Sequence, residues 1–253
     1  MQVAHKKELT TKSVNTIVGL AQVLGHINSG NRHSIKNLLH TLSEMAKVLI
    51  ATRSGIEKKA TLKSITDQLP EAFWPVDTMR NDKDVFSSAL GHLMCKRLLL
   101  EEVKEEALQS LRPSLYGKWK LPGFSLDFNI AHSGDYVVVV LTNPGVAGID
   151  IEVIRPIPWR DYENCFSAPE WETLSRSSQP EEKFFELWTR KESLAKAYGM
   201  GLQYPLNKIH VSDRSGILHD SMMRGYFYSL PIPGYSTCVC LSEQQDIVIE
   251  HFV

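Results

Sequence analysis

Two pairs of charged side chains in this sequence have the types and spacing to act together on a substrate. In the first pair, Asp150 and Glu152 are two residues apart and alternate with isoleucines. In a β-strand both carboxylates would point to the same side of the strand. Two neighbouring carboxylates repel unless a cation lies between them, and Mg²⁺ prefers oxygen ligands with room left for substrate phosphates. The pattern indicates either a Mg²⁺ site or an exposed acidic strand edge.

The second pair, Glu192 and Lys196, lies in the stretch 184–198. Residues four apart share one face of a helix. Apolar residues at helical spacing form another face of this stretch: Phe184, Leu187, Trp188, Leu194 and Ala195. Gly199 is expected to end the helix. On this helix alone, the pair is typical of a solvated ion pair worth a few tenths of a kcal/mol.

The elements around these pairs follow from turn and periodicity signals. A strand at 137–141, a turn at 143–145 and a strand at 148–152 predict a hairpin that carries the carboxylates. Helices are predicted at 83–99 and from Ser167, an N-cap candidate. Further strands are predicted at 209–211, 225–228, 237–241 and 246–253.

Three segments, in this order, closely resemble the motifs of the Sfp-type (surfactin-synthetase-activating type) 4′-phosphopantetheinyl transferases. They are Phe-Asn-Ile-Ala-His-Ser-Gly-Asp-Tyr at 128–136, Gly-Ile-Asp-Ile-Glu at 148–152 and Trp-Thr-Arg-Lys-Glu-Ser-Leu-Ala-Lys at 188–196. Each motif is weak by itself, whereas three in order at this spacing are specific. The resemblance covers residues 83–253, about two thirds of the chain.

The resemblance implies an α+β fold, the pseudo-twofold transferase fold of two similar α/β halves. We expect the first half at 69–144 and the second half, with the Mg²⁺ site, at 145–253. Apolar stripes predict helices at 13–27 and 34–52, so residues 1–68 are expected to form an atypical helical segment. Family members usually open with a strand. The segment is therefore a docking appendage separable from catalysis, an altered start, or a replacement for the first strand of the sheet.

The resemblance also implies an activity. The 4′-phosphopantetheine arm of coenzyme A would pass to a serine of an apo carrier protein, with release of adenosine 3′,5′-bisphosphate. Asp150, Glu152 and Glu192 would hold one Mg²⁺ on the pyrophosphate. Glu192 and Lys196 would be catalytic: Glu192 helps to accept the serine proton, directly or through a water, and Lys196 pairs with a phosphate oxygen.

The coenzyme contacts implied by the resemblance are basic side chains and one histidine: Lys83, Arg112, Lys118, His132, Lys191 and Lys196, with Arg80 as a further candidate. Alternatives stay open for several of them. Lys83 and Arg80 are otherwise solvated charges, Lys118 a surface-turn residue, His132 a core histidine and Lys191 a solvent-facing side chain. Two residues depart from the family pattern, since Trp119 replaces a proline and Ala131 replaces a serine.

Composition narrows the class of protein. A formal net charge of −1 argues against a nucleic-acid binder that relies on bulk electrostatics. Four cysteines without CxxC spacing favour a reducing compartment. No apolar run reaches membrane-spanning length. We therefore expect a cytoplasmic, monomeric protein that acts on coenzyme A and a carrier domain.

Two other functional classes remain open. A non-catalytic relative that binds coenzyme A or a carrier protein is suggested by the unusual N-terminal segment, Ala131 and Trp119. The intact set Asp150, Glu152, Glu192 and Lys196 argues against it. A helical adaptor is a weaker alternative that rests on residues 13–52. The sequence does not name the carrier, which is of the fatty-acid synthase, aminoadipate reductase, polyketide synthase or peptide synthetase type.

Overall fold

Two β-sheets, each with one long helix packed on it, form most of the described chain. The computed structural model describes residues 45–73, 82–200, 204–219 and 223–253. The strands are β1 Ala46–Thr52, β2 Arg112–Pro113, β3 Trp119–Lys120, β4 Asp127–Ser133, β5 Tyr136–Thr142, β6 Ala147–Val153, β7 Ile209–Val211, β8 Ser215–Leu218, β9 Arg224–Ser229, β10 Tyr235–Leu241 and β11 Ile247–His251. The α-helices are α1 Arg53–Glu57, α2 Leu62–Thr66, α3 Asp82–Glu102, α4 Ala168–Ser175 and α5 Pro180–Tyr198. Short 3₁₀ helices lie at Glu71–Phe73, Glu105–Ser110, Trp159–Cys165 and Leu206–Lys208.

The first sheet has the strand order β11-β1-β5-β4, and the second has the order β6-β10-β9-β8-β7. Strands β2 and β3 form a separate small hairpin. Helix α3 packs on β4 and β5, whereas α5 packs on β6 and β10. This mixed helix and sheet architecture confirms the predicted α+β class.

Strand β1 corrects the prediction of a helix over 34–52. Residues 46–52 are a central strand, antiparallel to β5 and parallel to β11. Leu49 faces the core under α3, while Val48 and Ile50 face the core between the sheets. A strand that is buried on both faces has no polar alternation, so its continuous apolar run also fits a helical stripe. Of the three alternatives for the N-terminal segment, the one in which it supplies a strand of the sheet holds for residues 46–52.

The other predictions for the N-terminal segment fall largely outside the described residues. The predicted helix at 13–27 and residues 34–44 of the second one lie there. The boundaries at 68/69 and 144/145 stay a prediction.

The long helices and most of the strands confirm the sequence patterns. Helix α3 begins with Asp82 and Asp84, which suit the positive end of the helix dipole. Helix α5 ends at Gly199, which adopts the left-handed conformation with φ 65°. Ser167 and Glu170 form a capping box at the start of α4. Strands β7, β9, β10 and β11 occur where they were predicted. Strands β5 and β6 also form, but the predicted hairpin is wrong, since β5 pairs with β1 and β4 whereas β6 pairs with β10.

Strand β8 was not predicted. Its sequence, Ser-Gly-Ile-Leu, offers a run of only two apolar residues. Gly216 permits close contact there, because an added Cβ would lie 2.7 Å from the ring of Phe227. Among the described helices, none combines the length and apolar character that crossing a membrane requires.

We predict that a chain shortened to begin at residue 60 does not fold, because it lacks the central strand β1. Its loss would expose an edge of β5 and leave β11 without its partner, and exposed edges promote aggregation. The soluble fraction on expression and the circular dichroism spectrum test this. In the full-length chain, Leu49→Ala is expected to cost about 2–5 kcal/mol of unfolding free energy. A soluble shortened chain that unfolds cooperatively would instead support a separable appendage.

Candidate active site

Helix α5 lies in direct contact with strand β6 at Gly148. A Cβ added to Gly148 would lie 2.0 Å from the Ser193 carbonyl oxygen and 2.4 Å from the Ala197 backbone nitrogen. Both distances are far inside van der Waals contact, so only glycine allows this approach. The contact brings Glu192 and Lys196 on the helix against the carboxylates of the strand.

Lys196 and Asp150 form the central ion pair of the site. The Lys196 Nζ lies 2.5 Å from Asp150 Oδ1. The Lys196 side chain is 31% exposed, whereas that of Asp150 is 5% exposed. The pair joins helix to strand, so Lys196 does not form the simple surface pair with Glu192 that the helix alone suggested.

Three carboxylates share this site electrostatically. Burial raises the pKa of Asp150, although Lys196 opposes the shift. Burial and the charge of Asp150 raise the pKa of Glu152, and the same two causes raise the pKa of Glu192. Burial lowers the pKa of Lys196, but the attraction of the carboxylates outweighs it and the net shift is upward. The site therefore holds crowded negative charge with one ammonium among it.

One carboxylate oxygen of the site is free to bind a divalent cation. Asp150 Oδ2 is buried and has no hydrogen-bond partner among the described residues. An uncommitted buried carboxylate oxygen beside two further carboxylates is what a hard cation with oxygen ligands requires. In the described ranges, no group of three or more His, Cys, Asp or Glu side chains stands in position to hold a metal ion. Lys196 supplies the positive charge beside Asp150 instead.

Strand β4 supports the carboxylate strand through its side chains. Strand β6 is an edge of the second sheet, so the N–H groups on its outer side need acceptors from elsewhere. Asp127 accepts the Ala147 N–H at 2.9 Å and Asn129 accepts the Ile149 N–H at 3.0 Å. Ser133 accepts the Val153 N–H at 3.2 Å. We call these three contacts the side-chain ladder.

A cavity of about 210 Å³ lies between α3, the β2–β3 hairpin and β4. Its lining includes His92, Trp119, Asn129 and His132. Burial lowers the pKa of His132. The charge of Asp84 raises this pKa, and the charge of Lys196 in the ion pair lowers it further. His132 is part-buried and lines the cavity, so it does not lie inside the core.

Lys118 is buried, contrary to a surface-turn position. Its ammonium donates to Asp127 Oδ2 at 2.5 Å, the Ala147 carbonyl at 2.8 Å and the Ala197 carbonyl at 2.6 Å. Burial lowers the pKa of Lys118 to about 8, although Asp127 opposes the shift. The ammonium thus joins β4, β6 and the end of α5, and Lys118 also contributes to the lining of the cavity.

Lys191 is also buried and does not face solvent. Its Nζ lies 2.7 Å from Glu170 and donates to the backbone carbonyls of Leu206 and Ile209. Although it is adjacent to Glu192 in sequence, it points to another face of α5. The structure places it as a link between α4, α5 and β7.

The remaining predicted residues lie at the margin of the site. Lys83 is exposed in the first turn of α3. It is adjacent in sequence to Asp84, whose charge raises the pKa of His132. Arg112 is exposed on β2. Arg80 lies outside the described residues.

Sequence reasoning missed the supporting role of β4. Ser133 donates to Glu152 Oε2 at 3.0 Å, yet the motif was assigned a role only for His132. The available signal was the alternation of polar residues at 127, 129 and 133, which matches the alternation along β6.

Comparison with known proteins agrees with the motifs. Residues 147–221 match the family model of the 4′-phosphopantetheinyl transferase superfamily. The chain is 37% identical over 134 residues to 4′-phosphopantetheinyl transferase gsp of Aneurinibacillus migulanus, which is 52% of this chain and 56% of that protein. It is 39% identical over 127 residues to psf-1 of Bacillus pumilus, covering 46% of this chain and 53% of that protein. It is 34% identical over 134 residues to Sfp of Bacillus subtilis, covering 49% and 59%.

The matches agree on one class of protein. Part of the chain is similar to the 4′-phosphopantetheinyl transferase superfamily, and the resemblance to its Sfp-type members is confirmed. The chain spans about half the length of the curated relatives it matches. A solved holo-[acyl-carrier-protein] synthase of Thermotoga maritima aligns at 19% identity with a TM-score of 0.32, covering 38% of this chain and 61% of that one.

We predict that Glu152→Gln raises the melting temperature of the metal-free protein at neutral pH. The amide removes one crowded charge and still accepts the Ser133 hydroxyl. Because the folded-state pKa of Glu152 is raised, the folded state favours the protonated acid, and this stability is lost as pH rises through the folded pKa. The gain should therefore shrink as pH falls towards the ordinary value of 4.5.

Calorimetry in the presence of a chelator measures this difference. About 2–4 °C is expected for each kcal/mol of relieved repulsion. Glu163→Gln, at an exposed position, is the control and should show no pH-dependent gain. A lower melting temperature for Glu152→Gln at every pH would show that the ionised carboxylate stabilises the fold.

Proposed function

We propose that this protein transfers the 4′-phosphopantetheine arm of coenzyme A to a serine of an apo carrier protein and releases adenosine 3′,5′-bisphosphate. The observation that carries the proposal is the Asp150–Lys196 ion pair, set among two more carboxylates whose pKa values are raised. The names of the matched relatives support the same reaction class.

We propose that Asp150, Glu152 and Glu192 hold one Mg²⁺ ion. When bound, the ion neutralises charge on the pyrophosphate of coenzyme A. The uncommitted Asp150 Oδ2 supports this assignment. Burial and the repulsion between the carboxylates raise the pKa of Glu152 and of Glu192, and a cation would relieve the repulsion.

The protein's own groups handle the proton and the phosphate charge. The serine oxygen forms a bond to the phosphorus next to the pantetheine arm, while the bond from that phosphorus to the bridging oxygen breaks. Glu192 accepts the serine proton, directly or through a water. Lys196 shifts from Asp150 to a phosphate oxygen, where its ammonium stabilises charge that develops in the transition state.

Coenzyme A is proposed to enter along the cavity beside His132. The volume of about 210 Å³ is below the roughly 300 Å³ of small drug-sized sites, so it accommodates only part of the coenzyme. His132, Lys83 and Arg112 are proposed to meet its phosphates. For Lys118 and Lys191, whose ammonium groups contact protein oxygens, contact with the coenzyme stays a prediction.

The acceptor is proposed to be a carrier domain of the fatty-acid synthase, aminoadipate reductase, polyketide synthase or peptide synthetase type. We propose that the protein acts as a monomer in the cytoplasm. The four cysteines are free thiols, which agrees with a reducing compartment.

The direct test is to mix the full-length protein with coenzyme A, Mg²⁺ and an apo carrier domain. A mass gain of one phosphopantetheine arm on the carrier is expected. We predict that Asp150→Ala abolishes the gain and leaves the fold intact, because the freed Lys196 is partly exposed and can be hydrated. No mass gain with any carrier type, together with coenzyme A binding, would favour a non-catalytic binding protein. Wild-type activity of Asp150→Ala would remove Asp150 from the site.

Lys196→Ala separates a structural from a chemical role for the ammonium. We predict that transfer slows about a hundredfold at saturating coenzyme A, since a preorganised donor is lost. The variant also leaves the buried Asp150 carboxylate without its partner, so the melting temperature should fall, and the rate is measured at a temperature where the variant is folded. Lys196→Arg should recover only part of the rate, because the planar guanidinium differs in shape from a compact ammonium. Unchanged turnover by Lys196→Ala would leave the lysine with a structural role alone.

A further inference from the structure

Ser133 takes part in two contacts at the edge of the carboxylate cluster. Its Oγ accepts the Val153 N–H at 3.2 Å, as the last contact of the side-chain ladder. The same Oγ lies 3.0 Å from Glu152 Oε2. An ionised carboxylate only accepts hydrogen bonds, so the hydroxyl donates to Glu152. The backbone N–H and the carboxylate together fix the hydroxyl between two neighbouring residues of β6.

Ala131 occupies the matching place one step earlier. It stands two residues before Ser133, as Asp150 stands two residues before Glu152. Ala131 is buried with Ile149 and Ile151 of β6, so it faces the same strand. It has no oxygen to offer, and Asp150 Oδ2 has no partner in the described part of the chain. The two carboxylates of β6 are thus held differently, Glu152 by Ser133 and Asp150 by Lys196.

We propose that Ser133 is a positioning residue that orients the Glu152 carboxylate for a divalent cation. The inference rests on the proposed Mg²⁺ site and adds a supporting residue to it. A free glutamate side chain loses rotamer freedom when it binds a cation, and a hydrogen bond made beforehand reduces that loss. Partners that orient metal-binding side chains typically change metal affinity 10–100-fold when removed.

Mn²⁺ binding to the full-length protein, followed by electron paramagnetic resonance of the free ion, tests the proposal without turnover. Ser133→Ala is expected to weaken Mn²⁺ binding about tenfold. Ser133→Thr keeps the hydroxyl and should bind nearly as the wild type does. Ser133→Val has almost the shape of threonine but no hydroxyl, so it should bind as weakly as Ser133→Ala. The Thr and Val pair keeps the test decisive if the alanine variant does not fold.

Asn129→Ala provides the control for general loosening of the β4–β6 contact. It removes a neighbouring contact of the side-chain ladder, and Asn129 accepts from Ile149 without touching Glu152. This variant should lower the melting temperature but leave Mn²⁺ affinity unchanged. Equal loss of affinity in Asn129→Ala and Ser133→Ala would overturn the positioning role.

Wild-type binding of Mn²⁺ separates failure of this inference from failure of the proposed site. If the wild-type protein binds Mn²⁺ and Ser133→Val binds it equally well, only the positioning role is wrong. If the wild-type protein binds no Mn²⁺, both the proposed metal site and the positioning role of Ser133 are wrong.

Discussion

Gly148 sets the distance between α5 and β6, and the chemical site depends on that distance. The Ser193 carbonyl lies where any larger residue would place its Cβ. At this separation Lys196 reaches a carboxylate on the strand, and the end of the helix lies close enough for Lys118 to donate a hydrogen bond to the Ala197 carbonyl. A side chain at this position would move the helix away and separate cation from carboxylate. The absence of a Cβ at Gly148 therefore allows charged groups on α5 and β6 to contact each other.

The site stands at the junction of the two sheets, where polar contacts connect the strands. Strand β6 is an edge, yet three of its outer N–H groups are hydrogen-bonded to side chains from β4 rather than to a further strand. Asp127 also accepts from Lys118 and Lys120, so one buried carboxylate joins several elements. Such networks are costly when a member is missing, because the remaining groups stay buried and unpaired. The junction is therefore rigid, which suits a site that must hold crowded charges in place.

The sequence predicted what periodicity and motifs encode, and missed what depends on burial. Helices α3 and α5 and strands β5 and β6 followed from apolar spacing and turn residues, but the pairing of β5 with β6 as a hairpin did not, because the two strands belong to different sheets. Strand β1 was not predicted, because a strand that is buried on both faces lacks the alternation of polar and apolar residues. The hydrogen bonds that Lys118 and Lys191 donate to protein oxygens could not be predicted because they depend on burial, and the contact of these lysines with a ligand stays a prediction. The pairing of Lys196 with Asp150 was likewise hidden, since the choice between Glu192 and Asp150 depends on how closely helix and strand pack.

The parallel pairing of β1 with β11 affects how the chain is made. These strands come from opposite ends of the described residues, while β4 and β5 pair locally soon after they are synthesised. A nascent chain on the ribosome therefore carries β1 with one edge open until β11 has emerged. Open edges in partly folded chains invite pairing with other molecules. The protein is thus most exposed to misassociation during translation, and closure of the first sheet marks the end of that interval.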